Sequence, residues 1–427
     1  MTPSAERPGP GASLEDWLGH ISAQHPASIA LGLERLREVA SRLPLAPPPV
    51  AITVGGTNGK GSTCAMLERI LLEAGYRVGL YSSPHLLRYN ERVRVAGEEA
   101  DDAQLAAAFA EVEGARGGTP LTYFEFGTLA AFVVFARRRV EAAILEVGLG
   151  GRLDAVNLVD ADCAIVTCVD LDHQAYLGDT REAIGFEKAG IFRPGRAAIV
   201  GERDPPASVL AHAAAIGADL QVLGRDFEVE PGEGQWSFRG RRGTRHALPI
   251  PALRGRWQLA NAAAALAALD AVAGPLPVSL GEVKRGLALV QLPGRLQVLP
   301  GRPAVILDVA HNPHAARALA DGLRAMGAAG RTTAVFAMLS DKDIGGVIDA
   351  MRAQVDRWHV ASVEGERAAP AERLSGLLAE RGLAAATRSF ATVAGALEAA
   401  RREAGPNDRI LVFGSFLTVA AALRCGS

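Results

Sequence analysis

A strand-sized run at residues 50–54, VAITV, passes directly into GGTNGKGST and then into a helical period marked by Met66, Leu67, Ile70, Leu71 and Ala74 before Gly75. Strand, glycine-rich turn and helix in that order commit the segment to a βαβ unit, with the helix N-terminus set at a sheet edge. Glycines at 55, 56, 59 and 61 free the backbone to aim its N–H groups inward, where the helix dipole adds positive potential. Such a turn suits phosphate, and Lys60 can reach the terminal phosphates of a nucleotide. The usual loop G-x-x-x-x-G-K-[ST] is one residue longer, and here Gly61 separates Lys60 from Ser62.

The same alternation recurs. Further strands are expected at 78–82, 142–147, 163–169 and 197–201, with amphipathic helices between several of them. A mostly parallel, doubly wound sheet follows for an N-terminal domain spanning 1–293. Within it, residues 221–253 have the texture of antiparallel hairpins, and QLANAAAALAALDAVAG reads as a long buried helix. The cluster Arg239, Arg241, Arg242 and Arg245 reads either as an anion patch or as a solvated hairpin tip. LPGRLQ has the composition of a hinge, and a smaller Rossmann-like α/β domain is expected over 296–427, with strands at 304–309, 333–338, 358–363 and 409–414.

Bulk properties exclude other classes. With 49% hydrophobic residues in 427, the chain can bury large cores, and its formal charge of −2 gives no field that would draw it to nucleic acid or an anionic membrane. MTPSAERPGPGASLEDW lacks the basic-then-apolar order of a secretory signal, and no apolar run reaches the ~18 residues of a spanning helix. A soluble, cytoplasmic chain is expected. Cys64, Cys163, Cys168 and Cys425 are too scattered for a disulfide framework, so Cys163 and Cys168 read as buried free thiols.

Nucleotide chemistry also needs a cation, and parallel strands end in candidate ligands. Glu146 closes LEV, Ser83 follows GLYS, and Asp170, Asp172 and His173 follow IVTCV. Each alone is ordinary, but carboxylate, hydroxyl and imidazole at three strand ends beside a phosphate turn suit Mg²⁺, with Glu146 as the hard oxygen donor.

GGTNGKGSTC, YSSPHLLRYNERVRV, LTYFEFGTLAAF, LEVGLGGRLDAVN, DLDHQAYLGDTREAIGFEKAGIFRPG, LPGRLQ and LDVAHNPHAA occur in this order. Together they resemble the dihydrofolate synthase/folylpolyglutamate synthase family, which is related to the muramyl-peptide ligases. The resemblance implies ATP- and Mg²⁺-dependent ligation of L-glutamate to 7,8-dihydropteroate and to reduced folates through an acyl phosphate. The alternatives it leaves are tail extension alone, or ligation to a uridine-linked muramyl peptide. A monomer acting on small molecules, with neither nucleic acid nor membrane as partner, is expected.

Carried onto this chain, the resemblance makes Thr57, Asn58, Gly59, Lys60, Gly61 and Ser62 the phosphate loop, with Lys60 on the β- and γ-phosphates. It makes Ser83, Glu146 and His173 magnesium ligands, and Lys188 a carbamate that holds a second Mg²⁺. Without it, Lys188 reads as an exposed helix lysine paired with Glu187. Asn261 is implied at the adenine, Arg295 at the phosphates, Asp308 at the ribose and His311 near the base. Thr122, Phe124, Asp154 and Ala155, with Ser28, Ile29 and Ala30, are implied at the pterin. Ala30 stands where an acidic residue is usual, and Gln174, Ala175 and Tyr176 replace a more polar, tryptophan-bearing stretch.

Overall fold

The computed structural model describes residues 7–9, 11–25, 27, 29–327 and 329–425. The chain divides into two compact units, one running to Pro251 and resuming at Leu259–Val290, the other made of Ala252–Gln258 and the chain from Gln291 onward.

The first unit holds strands β1 (Val50–Gly55), β2 (Val78–Tyr81), β3 (Val93–Val95), β4 (Glu98–Glu99), β5 (Ala142–Glu146), β6 (Cys163–Val166), β7 (Ala197–Val200) and β8 (Asp219–Val222). They form one sheet in the order β4-β3-β2-β5-β1-β6-β7-β8, parallel except at β3 and β4. From β1 the chain moves out to β2, returns to insert β5, then crosses to β6 on the far side of β1. The carboxyl ends of β5, β1 and β6 therefore stand side by side where the winding changes direction, the ordinary position of a ligand site in such sheets.

Both faces are covered, so the central strands are continuous apolar runs instead of alternating ones. Helix Lys60–Glu73 buries Met66, Leu67, Ile70 and Leu71, each adding about 1.5–3 kcal/mol relative to exposure. Helix Tyr123–Arg138 is buried from Glu125 to Phe135 and opens on a capping box between Thr122 and Glu125.

Three antiparallel strands, β9 (Glu228–Pro231), β10 (Gln235–Gly240) and β11 (Gly243–Pro249), form a separate small sheet, and helix Gln258–Ala271 follows. The arginine cluster is largely neutralised here, because Arg239 pairs with Glu230, Arg241 with Asp219 and Arg245 with Asp270.

The second unit is a six-stranded sheet in the order β12-β13-β17-β14-β15-β16. Its strands are β12 (Gln297–Leu299), β13 (Ala304–Asp308), β14 (Thr332–Phe336), β15 (Arg357–Ala361), β16 (Thr387–Phe390) and β17 (Arg409–Phe413), parallel apart from β12. Phe336, Trp358 and Phe413 pack edge-to-face and tilted at its centre, with centroids 4.9–6.1 Å apart. The last residue of the LPGRLQ segment, Gln297, opens the edge strand β12, paired antiparallel with β13. Among the described residues no helix is long and apolar enough to cross a membrane, and Cys64, Cys163, Cys168 and Cys425 are all free. Cys163 is buried, whereas Cys168 is only partly so and points its thiol at the Asn58 carbonyl, 3.4 Å away.

Candidate active site

The turn after β1 is shaped by its neighbours. Gly56 and Gly59 have φ of 143° and 85°, values that side chains rarely adopt. A Cβ on Gly56 would lie 1.8 Å from Thr167 Oγ1, and one on Gly59 2.5 Å from Asn261 Oδ1. The segment following β6 braces the turn: Thr167 Oγ1 donates to the Asn58 carbonyl (2.6 Å), and Thr57 N donates to the Cys168 carbonyl (2.8 Å). The Thr57 hydroxyl exchanges two hydrogen bonds with the backbone of Asp170, each 3.0 Å long. Lys60 Nζ bends back to the carbonyls of Gly56 (3.0 Å) and Thr57 (3.4 Å). Ser62 and Thr63 are buried in the first helical turn. A bare backbone cradle at a helix N-terminus, with one mobile ammonium above it, fits a polyphosphate.

Gly56→Ala is expected to destabilise the protein by about 2–4 kcal/mol, since it adds backbone strain to a clash. The double variant with Thr167→Ala should recover part of this in denaturant unfolding. No recovery would mean that Thr167 is not what crowds the turn.

Glu146, the last residue of β5 and level with Val54 of β1, is 5% exposed, and its Oε2 accepts from Ser83 N at 3.3 Å. His173 sits in the left-handed region (φ 53°), its N–H donating to Asp172 Oδ1 at 2.8 Å. A histidine held in that sparsely populated backbone conformation is fixed by its surroundings. Among the described residues no three His, Cys, Asp or Glu side chains gather into a self-sufficient metal cage. Magnesium suits such a place, because it is commonly bound through one or two carboxylates with the substrate's phosphates and water completing its shell. Glu146 is the buried carboxylate at this strand end.

Lys188, on helix Arg181–Ala189, is 4% exposed, so the reading of it as a surface lysine fails. Glu187 pairs with Arg152 instead, at 2.9 Å. Burial, reinforced by the charge of Lys60, brings the Lys188 amine down to about 7.

Thr122 is buried and caps the helix Tyr123–Arg138, its hydroxyl donating to Glu125 Oε2 at 2.9 Å. Glu125 also pairs with Arg35 at 2.8 Å, and Arg35 donates to the carbonyl of Ala30, tying the 29–30 segment to the same helix start. Phe124 is partly buried, packing 5.8 Å from Tyr81 and covering Gly148, where a Cβ would meet its ring at 2.7 Å. Asp154 is buried, with its oxygens accepting from Leu149 N (2.8 Å) and Val156 N (3.0 Å), and Ala155 is buried beside it. Burial outweighs those donors and lifts the Asp154 carboxyl to about 6. Ile29 and Ala30 are half-buried, and Ser28 lies outside the described residues.

Asn261, on helix Gln258–Ala271, touches the phosphate turn of the first unit through Gly59. The second unit gathers Arg295, Asp308 and His311. Asp308 ends β13 with both oxygens on backbone donors, Leu296 N at 2.7 Å and Ala310 N at 2.8 Å, and burial raises its carboxyl. Arg295 lies over the Phe416 ring at 5.0 Å. His311 Nδ1 is 2.9 Å from the Val309 carbonyl, which, as an acceptor, places a proton on Nδ1.

Residues 54–269 match the Mur ligase middle domain, and residues 294–416 the Mur ligase, glutamate ligase domain. The chain is 48% identical to the dihydrofolate synthase/folylpolyglutamate synthase of Escherichia coli K12 over 420 residues, 98% of this chain and 96% of that one. It belongs to the dihydrofolate synthase/folylpolyglutamate synthase family. Escherichia coli FolC, solved in complex with DHPP and ADP, superposes with a TM-score of 0.93 at 47% identity, covering 98% of both chains. A bifunctional folylpolyglutamate synthase/dihydrofolate synthase with Mn, AMPPNP and L-glutamate bound gives a TM-score of 0.90 at 45% identity, covering 99% of each.

Within this family fold, sequence reasoning overlooked Thr167, Asp170 as a backbone brace, and Gly148. Thr167 and Gly148 matter through the space they fill or leave, which a single sequence does not display. Only the glycine-rich turn itself hinted that something must press against it.

Proposed function

We propose that this chain joins the amino group of L-glutamate to the carboxylate of 7,8-dihydropteroate, giving dihydrofolate, and to a carboxylate of reduced folates, giving folylpolyglutamates, with ATP converted to ADP and phosphate. The observation that carries the reading is the phosphate cradle built from Gly56, Gly59 and Lys60, one strand away from the buried carboxylate of Glu146.

An acceptor carboxylate is a poor electrophile. Its oxygen attacks the γ-phosphorus as the bond to ADP breaks, and the resulting acyl phosphate is then attacked at carbon by the amine, which loses a proton as phosphate leaves. The first step brings two anions together, so its barrier is set by how well negative charge is met. Lys60 leaves the carbonyls of Gly56 and Thr57 for the β- and γ-oxygens, while the turn's N–H groups hold the phosphates in line. Glu146, Ser83 and His173 are assigned to one Mg²⁺, and a carbamate on Lys188 to a second. The ions supply positive charge that screens carboxylate from triphosphate. A Lys188 amine near 7 is largely the free base in mildly alkaline solution, the form that adds CO₂.

The reading assigns Asn261 to the adenine, Arg295 to the phosphates, Asp308 to the ribose and His311 to the base. Thr122, Phe124, Asp154, Ala155, Ile29 and Ala30 are assigned to the pterin. A flat heterocycle rich in N–H groups suits an aromatic wall with a carboxylate at its edge. The enzyme is taken to be a cytoplasmic monomer, in keeping with its free thiols and its small-molecule substrates.

Asp154→Asn is expected to raise KM for dihydropteroate more than for a reduced folate. In the parent enzyme that KM should climb as pH falls through about 6, where the carboxylate becomes protonated, and the Asn variant should lose this dependence. Equal losses on both acceptors would argue against separate binding modes.

The deciding experiment is mass spectrometry of products from purified protein with ATP, Mg²⁺, L-glutamate and either acceptor. Gain of one glutamyl unit on both supports the bifunctional reading. Gain on the folate alone reduces it to tail extension, and gain on neither removes it.

A further inference from the structure

His173 and Lys188 stand on separate elements, the loop after β6 and helix Arg181–Ala189, yet the segments that carry them are fastened to one connection, residues 201–206, which leaves β7. That connection holds no side chain assigned to an ion or a substrate. At its start Gly201 N donates to the Val166 carbonyl at 2.9 Å, and a Cβ on Gly201 would lie 2.8 Å from the Thr167 carbonyl. Glu202 follows, and its Oε1 accepts from Val169 N at 2.9 Å, while Arg181 Nε donates to the Val169 carbonyl, also at 2.9 Å. Arg181 Nη2 closes the ring on Glu202 Oε2 at 3.2 Å and donates to the Asp204 carbonyl at 2.9 Å.

The ring is attached on two further sides. Val169 lies between Cys168, whose carbonyl takes Thr57 N, and Asp170, whose backbone exchanges hydrogen bonds with the Thr57 hydroxyl, so holding Val169 holds the brace of the phosphate turn. Arg181 is the first residue of the helix that buries Lys188, and the next residue, Glu182, accepts from Ala207 N (3.1 Å) and Ser208 N (2.7 Å) where helix Ala207–Ile216 begins. Charge pairing alone does not account for the arrangement. Burial lifts the Glu202 carboxyl to about 7 despite Arg181, so the ionised group is less favourable here than in water and adds little to stability.

We infer that Arg181 and Glu202 are positioning residues, which together set the phosphate turn, the His173 loop and the Lys188 helix in one register. The inference rests on the ligase reading above for the roles of those three parts. A guanidinium suits the place because one side chain must meet a carboxylate and two carbonyls at once, and a planar fork fixes those directions where an ammonium on a flexible stem does not. None of the ring's hydrogen bonds goes to a residue assigned to the acceptor. Its influence therefore falls on nucleotide and ion, and both ligations share it.

The test is kinetics and nucleotide binding of the parent enzyme, Glu202→Gln, Arg181→Lys, Arg181→Gln and the double variant carrying both Gln substitutions. Misplacement of the reacting groups should lower kcat about 10- to 100-fold for both ligations alike in the single Gln variants, with Arg181→Lys between. ADP with Mg²⁺, followed by calorimetry, should bind about 10-fold more weakly, while KM for either acceptor stays within about twofold of the parent's and the melting temperature within a few degrees. The double variant should lose no more than the worse single one, because the two side chains act as a unit. Losses that multiply, a change confined to the acceptor KM, or values all within about twofold of the parent would each overturn the inference. If a Gln variant loses its cooperative melting transition, Arg181→Lys decides by the same criteria, and unfolding of every variant would make the pair structural and overturn it as well. A parent enzyme that forms neither product, while its ADP affinity still falls in the variants, would remove the ligase reading and keep the pair's role at the phosphate turn; unchanged affinity would remove both.

Discussion

Lys60→Ala is expected to lower kcat about 10³-fold for both ligations and to leave the melting temperature within a few degrees of the parent's. The two halves of this expectation have separate causes. Stability should change little because Lys60 is only half-buried and, among the described residues, its amine bonds two turn carbonyls, contacts together worth about 1–2 kcal/mol in a solvated setting. The turn keeps its shape through Thr57, Thr167 and Asp170, none of which depends on the ammonium. Activity falls because a cation aimed at developing charge acts mainly in the transition state, so the loss should appear in kcat for both acceptors alike. Glu146→Ala should lose both reactions in the same way, because it removes the carboxylate assigned to the ion. Product formation at the parent rate by either variant would overturn the site.

The strands that frame this site were legible because they are central. Residues 50–54, 142–147 and 163–169 are apolar runs, since both faces of the sheet are covered, and β1, β5 and β6 form from them. The last expected strand overran by three residues. β6 stops at Val166 because the next backbone groups turn to the phosphate loop, the Cys168 carbonyl taking Thr57 N and the Thr167 hydroxyl reaching the Asn58 carbonyl. A propensity pattern cannot distinguish a strand's ladder from a brace made by the same residue types.

Edge strands and the short strand β3 were the ones that escaped. β16, Thr387–Phe390, has no buried residue, and β3, β4, β8 and β12 are two to four residues long. Too few side chains are buried on them to impose a period. The site followed the same division. Lys60, Glu146 and His173 stand out as chemistry at strand ends, whereas Lys188 is singled out only by the family resemblance and otherwise reads as an exposed lysine paired with Glu187, a reading its burial overturns. Its position facing inward beside Ile184 and Gly185 depends on where helix Arg181–Ala189 docks, which is a tertiary fact.

That burial leads to the second large effect. Lys188→Ala is expected to lower kcat for both ligations about 10²- to 10³-fold and to abolish a carbamate ¹³C signal seen when the parent enzyme is equilibrated with labelled bicarbonate. The amine adds CO₂ only as the free base, giving Lys–NH–COO⁻ and a proton. With the amine brought down to about 7 by burial first and by the charge of Lys60 second, signal and activity should rise together as pH passes upward through that value and fade below it. The cause can be separated from the consequence. Lys60→Ala removes the second contribution, so the Lys188 amine should titrate higher and the carbamate should form only in more alkaline solution, recovering the signal there without recovering turnover. A signal that survives Lys188→Ala would place the carbamate elsewhere, and its absence from an active parent enzyme would show that the second ion, if used, is held without it.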